Sequence, residues 1–209
     1  MLDQHSAQSL FTQLLSLREQ SKQANVDAEV QFLSFCARNH LGSQAQFFQD
    51  LLVLYLLGPK RQGYFVEFGA TDGMELSNSL LLERGFDWRG ILAEPATCWH
   101  EALHKNRRAK IDQRCVWSHT GEQLTFNETP QAMLSTIDRF SDRDYAAESR
   151  TGGKKYMVET VSLNDLLAQH DCPSHIDYMS IDTEGSELSI LSNFDFAKYD
   201  VGIMSVEHN

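Results

Sequence analysis

The sequence is poor in several things, and each shortage excludes a class of protein. Proline is scarce, 4 in 209 residues, and the 12 glycines follow no repeat, so a collagen-like or Pro-rich linker chain is excluded. The four cysteines, Cys36, Cys98, Cys115 and Cys172, form no CxxC pair. Nothing marks a disulfide framework or a four-cysteine zinc site. Reduced thiols and a cytoplasmic location are expected. Cations are also short: Lys+Arg is 18 against Asp+Glu 29, a net charge of −11. A field of that sign repels phosphate backbones, and no nucleic-acid partner is expected. The best basic run, Lys105–Lys110 (KNRRAK), is short and lacks interleaved aromatics. The longest apolar run, Leu51–Leu57, falls well below the ~20 residues of a membrane span. The first residues, MLDQHSAQSL, lack the basic and apolar regions of a signal peptide.

What is present is an ordinary globular composition, 42% hydrophobic and 22% charged, with length for about one domain. Residues 1–57 read as helical and are expected to pack on the core. Leu10, Phe11, Leu14, Leu15 and Leu17 recur at helical spacing, and further helices fit Ala28–Asn39 and Gln44–Leu57. From residue 58 strands and helices alternate. Strands are expected at Tyr64–Phe68, Gly90–Glu94, Ile111–Trp117, Tyr156–Val161, Asp177–Ile181 and Val201–Val206. Helices fall between most of them. Such a rhythm predicts an α/β fold, a Rossmann-like doubly wound and mostly parallel sheet. Residues 118–160 break it. They hold one expected strand, Gln123–Asn127, and a polar stretch around Gly152-Gly153 that reads as a mobile insertion beside the site.

Acidic residues fall where these strands end. Glu67-Phe68-Gly69-Ala70-Thr71-Asp72-Gly73 lets the backbone turn tightly just past a buried strand. The spacing is not GxGxxG, so pyrophosphate is not indicated, and an acid suits a ligand bearing amine or hydroxyl groups. An ordinary turn with a chance acid would look the same. Glu94 ends the next strand, where an acid can accept from a ribose diol. Asp182, Glu184 and Glu187 crowd the turn after Ile181. Like charges this close raise one another's pKa and suit a general base or a metal site. The pull of the next helix N-terminus explains Glu187 equally well. His208, in the final Glu207-His208-Asn209, is a further candidate base or ligand, or simply an exposed residue. His100-Glu101-Ala102-Leu103-His104 satisfies HExxH, with Glu122 or Glu128 as a third zinc ligand. A crossover helix flanking a sheet is the wrong context for it.

Taken together, the segments Ser43–Asp50, Tyr64–Glu83, Trp88–Pro95, Val161–Leu167, Ile176–Leu191 and Val206–Asn209 resemble the FkbM family of methyltransferases, which use S-adenosylmethionine. The resemblance implies roles for particular residues. Glu67, Gly69, Ala70 and Gly73, with Asp72, would form the turn holding the amino-acid part of the cofactor. Glu94 would bind its ribose, and Val116 or Trp117 would lie near its adenine. Gln49, Asp50, Ser77 and Asn78 match positions near the pocket, with Asn78 taken as a cofactor contact. Asp182 and Glu184 would face the methyl group and the acceptor, with His208 a further candidate catalytic base.

The expected activity is O-methylation of a hydroxyl on a sugar, glycan, lipid or secondary metabolite, with Mg²⁺ at Asp182 and Glu207 or His208 as a variant. The alternatives are a non-catalytic cofactor-binding or assembly subunit, and a zinc peptidase. The strand pattern ends after five strands, where sheets of this class normally have seven. The expectation is therefore a shortened sheet, whose open edge the N-terminal helices, a partner or a second copy would cover.

Overall fold

The computed structural model describes Thr12, residues 27–143 and residues 146–207. The helix expected over Leu10–Leu17 lies outside these residues, as does His208. The chain divides into two compact units, 1–41 and 42–209. In the first, α1 spans Asp27–Asn39 and runs into a single 3₁₀ turn, His40–Gly42.

In the second unit α2 covers Gln49–Leu57. It starts five residues later than the apolar pattern suggests. Phe48 sits at its N-cap in the left-handed region at φ 59°, so the chain cannot be helical through that point. Just before it, Ala45 bridges to Leu76. Strand β1 (Tyr64–Phe68), α3 (Leu80–Phe86), β2 (Arg89–Ala93), α4 (His100–Asn106) and β3 (Lys110–Asp112) follow. Next come β4 (Cys115–Trp117), β5 (Gln123–Glu128), β6 (Thr136–Ile137) and β7 (Lys154–Ser162). The chain then runs through α5 (Leu163–Gln169), β8 (His175–Ile181), α6 (Glu187–Leu191) and β9 (Asp200–Val206). Ser162 caps α5 by accepting from the Asp165 amide at 3.1 Å, the role a serine plays at a helix start.

A five-stranded sheet has the order β3-β2-β1-β8-β9, and every pair in it is parallel. Its inner strands are apolar almost throughout because helices cover both faces. Val66, Ile91, Met179 and Ile181 are buried there with Leu166 and Ile190 from the helices. The mixed α/β build with a parallel sheet agrees with the expected Rossmann-like class.

Two expectations need correction. The run Ile111–Trp117 is not one strand. Asp112 accepts from the Arg114 amide at 3.0 Å and from its guanidinium at 2.9 and 2.6 Å, which turns the chain between β3 and β4. As a result β4 pairs with β7 in a second sheet of order β4-β7-β5-β6. Nor is 118–160 a long loop around one strand. Gln123–Glu128 pairs antiparallel with Lys154–Glu159 and also with Thr136–Ile137. The polar sequence hides this sheet because only one face is apolar. Trp117, Phe126, Ile137 and Val158 bury that face together.

Candidate active site

Parallel strands carry their loops at one edge, and ligands of open α/β sheets bind outside the carboxyl ends. A cleft lies there, between the ends of β1, β2, β8 and β9 on one side and the β5–β6 region on the other. Of the residues singled out from sequence, Gln49, Glu67, Gly69, Ala70, Ser77, Asn78, Glu94, Val116, Asp182 and Glu184 line it. Asp50, Asp72, Gly73 and Trp117 do not.

Local geometry explains the division. Gly69 has φ +72°, and a Cβ on it would stand 2.0 Å from the Asp182 carbonyl oxygen. Only glycine lets β1 leave the sheet this close to the end of β8. Asp72 accepts from the amides of Met74 and Glu75 at 2.8 and 2.9 Å. Its carboxylate shapes the loop rather than the cleft. Asp50 is buried beneath, accepting from Ser43 Oγ at 2.6 Å and from the Leu51 amide at 2.7 Å. Burial raises its pKa to about 6.

Glu67 is 3% exposed. It accepts from the Asn78 amide at 2.7 Å, from Ser77 Oγ at 3.2 Å and from Ser79 Oγ. Arg107 faces it at 3.7 Å. This carboxylate therefore folds the 73–79 loop back onto the strand. Asn78 is held in turn by its Nδ2, which donates to Ser180 Oγ at 2.9 Å. Its Oδ1 is buried without a hydrogen-bond partner. A buried acceptor left open beside a cleft is matched to a donor on a ligand.

Glu94 is also buried. Its carboxylate accepts from the amides of Thr71 and Ala96, both at 2.8 Å, and so ties the β1 loop to the end of β2. Burial raises its pKa to about 7. The Asp182 carboxyl is pushed up to about 9 by burial first and by the neighbouring Glu207 next. Nearby carboxylates add to the rise, because a second negative charge at one site disfavours ionisation.

Glu184 takes the left-handed region at φ 56°, an unusual place for a long side chain. Arg150 reaches it at 2.5 Å. Thr136 Oγ1 donates to its backbone oxygen at 2.8 Å. Glu187, read as either functional or helix-capping, accepts from the Thr183 amide at 2.9 Å and the Gly185 amide at 3.1 Å. It organises the turn.

Among the described residues one group of acids or histidines lies within reach of a common ion: Asp182, Glu184 and Glu207, their ligand atoms within 4.8 Å. One Glu184 oxygen is engaged by Arg150. The three acids are of the oxygen-donor type that holds a hard divalent cation, with Arg150 already supplying one positive charge beside Glu184. The HExxH histidines diverge. His100 Nε2 meets the Glu94 carbonyl oxygen at 2.9 Å, and His104 meets Gln113 at 3.1 Å. The zinc-peptidase reading is dropped on that ground.

Two residues with prominent roles here went unmarked in the sequence: Arg107 and Arg150. Both side chains are 0% exposed. Arg107 sits in a run that reads as surface charge, and Arg150 in a stretch that reads as loop.

A parallel α/β sheet with an acid-lined cleft at its carboxyl edge defines a Rossmann-like ligand-binding domain. The particular family follows from comparison: residues 67–209 match the model of the methyltransferase FkbM domain, and the chain belongs to that family. Searches of curated proteins and of solved structures return no match. Among the described residues no helix is long and apolar enough to cross a membrane.

Proposed function

We propose that the protein is an S-adenosylmethionine-dependent O-methyltransferase acting on a hydroxyl of a small molecule, sugar, glycan or lipid. The observation that carries this is the acid-rich lining of the cleft, in which no cation takes part among the described residues. Six acids line it, Glu67, Glu75, Glu94, Asp182, Glu184 and Glu207, and among the described residues no Lys, Arg or His does. Dinucleotides and nucleotide triphosphates bring several negative charges, and this lining offers them no cation to pair with. A cofactor with a sulfonium and an ammonium group suits it. The open Asn78 Oδ1 is an acceptor of the kind such an ammonium needs. Glu94 has further lone pairs for a ribose diol, and Val116 offers an apolar surface for a base. The bound cofactor would supply an electrophilic methyl group.

The chain's own residues handle position and proton. The Gly69–Asn78 loop, held by Glu67 and Glu94, fixes one side of the cleft. Asp182 holds a proton at neutral pH, with Glu207 beside it. Positive charge in the cleft favours the ionised acid, so cofactor binding prepares Asp182 to accept the proton of the acceptor hydroxyl. The four free cysteines support a reducing, cytoplasmic setting.

Calorimetry tests the binding step. Heat is expected with S-adenosylmethionine and not with a nicotinamide dinucleotide, and silence at millimolar S-adenosylmethionine sinks the reading. With an acceptor in hand, Asp182→Asn should lower turnover about 100-fold or more while cofactor affinity stays within a few-fold.

A further inference from the structure

Arg107 follows the last residue of α4, far in sequence from the acids of the cleft, and does not line the cleft. Its guanidinium nevertheless reaches the loop that does, at Ser77 and at the flanking Gly73 and Ser79. Nη1 donates to the Gly73 carbonyl at 3.2 Å and to Ser77 Oγ at 3.1 Å. Nη2 donates to Ser79 Oγ at 2.7 Å, and Nε to Glu83 at 3.3 Å. Ser79 Oγ passes its own proton toward Glu67, whose carboxylate lies 3.7 Å from Arg107 Nη1. Below the plane, the guanidinium packs over the Phe65 ring at 5.5 Å. Three points of the 73–79 loop and two buried acids thus converge on one planar cation.

Glu67, Asp72 and Glu94 also hold the loop by accepting from its amides, yet its backbone is strained. Thr71, Gly73 and Leu76 all have positive φ, at 45°, 76° and 57°, which costs free energy at the two non-glycine positions. Gly73 lies so close to Arg107 that a Cβ there would meet its Cγ at 2.5 Å. The same loop carries Asn78, which lines the cleft and whose Oδ1 is buried without a partner.

We propose that Arg107 is the positioning residue of the cofactor loop. By fixing Gly73, Ser77 and Ser79 against Glu67 it holds Asn78 and the 69–78 backbone in their binding geometry, and so sets affinity for the cofactor without touching it. The proposal rests on the S-adenosylmethionine reading. A lysine would keep the charge but is a point donor without the guanidinium fork, so it cannot serve Gly73, Ser77, Ser79 and Glu83 together.

The test is calorimetric titration of S-adenosylmethionine into wild type, Arg107→Lys, Ser79→Ala and the double variant, with thermal melts of each ligand-free protein. Wild type that does not bind ends the underlying reading, and this proposal with it. Given binding by wild type, Arg107→Lys should weaken it about tenfold or more, and Ser79→Ala about threefold. The double variant should be no weaker than Arg107→Lys, because both changes break one network. Melting temperatures near wild type for the single variants separate this from general damage. Overturning results are wild-type affinity in a folded Arg107→Lys, or a double variant whose losses simply add.

Discussion

The two walls of the cleft are built by opposite means and pinned by the same residue type. The β1–β2 wall is the end of a buried parallel sheet. Its arginine, Arg107, binds two carboxylates and two serine hydroxyls besides a single backbone oxygen. The facing wall is made of short strands and 3₁₀ turns. Its arginine, Arg150, donates to the backbone oxygens of Leu134 at 2.9 Å and Phe140 at 3.4 Å, and ion-pairs with Glu184 on the β8 side. The first arginine therefore balances charge inside a wall. The second staples irregular backbone across to the sheet. Side-chain partners titrate and can be mutated separately, whereas carbonyl partners hold wherever the chain passes, whatever its sequence.

Removing each pin should expose that difference. Arg107→Met strands two buried acids, Glu67 and Glu83, without a cation. The expected loss is about 3–5 kcal/mol of unfolding free energy, read by urea denaturation. Gly69→Ala attacks the same wall through the backbone. Its Cβ meets a main-chain oxygen that cannot swing away, and the φ is unfavourable, so about 3 kcal/mol should be lost. Arg150→Met strands Glu184 and should cost about 2–3 kcal/mol. Its signature should be local. Hydrogen exchange is expected to quicken over Ala132–Phe140 and stay unchanged over Gly69–Asn78. Equal quickening on both walls would break the distinction between them.

The walls also differed in how far the sequence could be read. Strands of the parallel sheet announce themselves as short apolar runs with a glycine or an acid at the end, and Tyr64–Phe68 was placed to the residue. The acids at 67, 94 and 182 were legible for the same reason, since strand ends are where such a fold binds. The facing wall is legible only in part: Gln123–Asn127 and Tyr156–Val161 read as strands and are strands, but nothing in the sequence shows that they pair. Its sheet has one buried face, and its pairing joins Gln123 to Glu159 across 36 residues, which no local pattern records. The break at Arg114 was hidden too, because Asp112 acts on its second neighbour through a side chain rather than through a Gly or Pro. Neither arginine could be found from spacing. Their burial is decided by what surrounds them in space.

At the seam between the walls, pH gives a separate handle. Asp182 and Glu94 have folded pKa values raised above the unfolded ones, to about 9 and about 7. In the unfolded chain both lose their protons near pH 4 to 4.5. Between those limits the folded protein binds more protons than the unfolded one, so stability falls as pH rises. The contribution is whole below about pH 4. It fades through pH 7 for Glu94 and through pH 9 for Asp182. Asp182→Asn should flatten the upper part of a plot of stability against pH and leave the lower part sloping. The effect should be smaller than loss of either arginine, because Asp182 is only partly buried and water screens it. A variant that keeps the full slope to pH 9 would mean that Asp182 does not hold the proton.

The smallest effect separates conformation from crowding on the facing wall. Gly121, in the turn before β5, has φ +85°, as left-handed as Gly69, but nothing lies within 4 Å of where its Cβ would be. Gly121→Ala therefore faces the backbone penalty alone, about 1 kcal/mol. Gly69→Ala faces that penalty and the Asp182 oxygen together. The gap between the two losses in urea measures the close approach of β1 to β8 itself. If the two variants lose the same amount, the sheet yields at Gly69, and the strand end is not held as closely as the 2.0 Å separation requires.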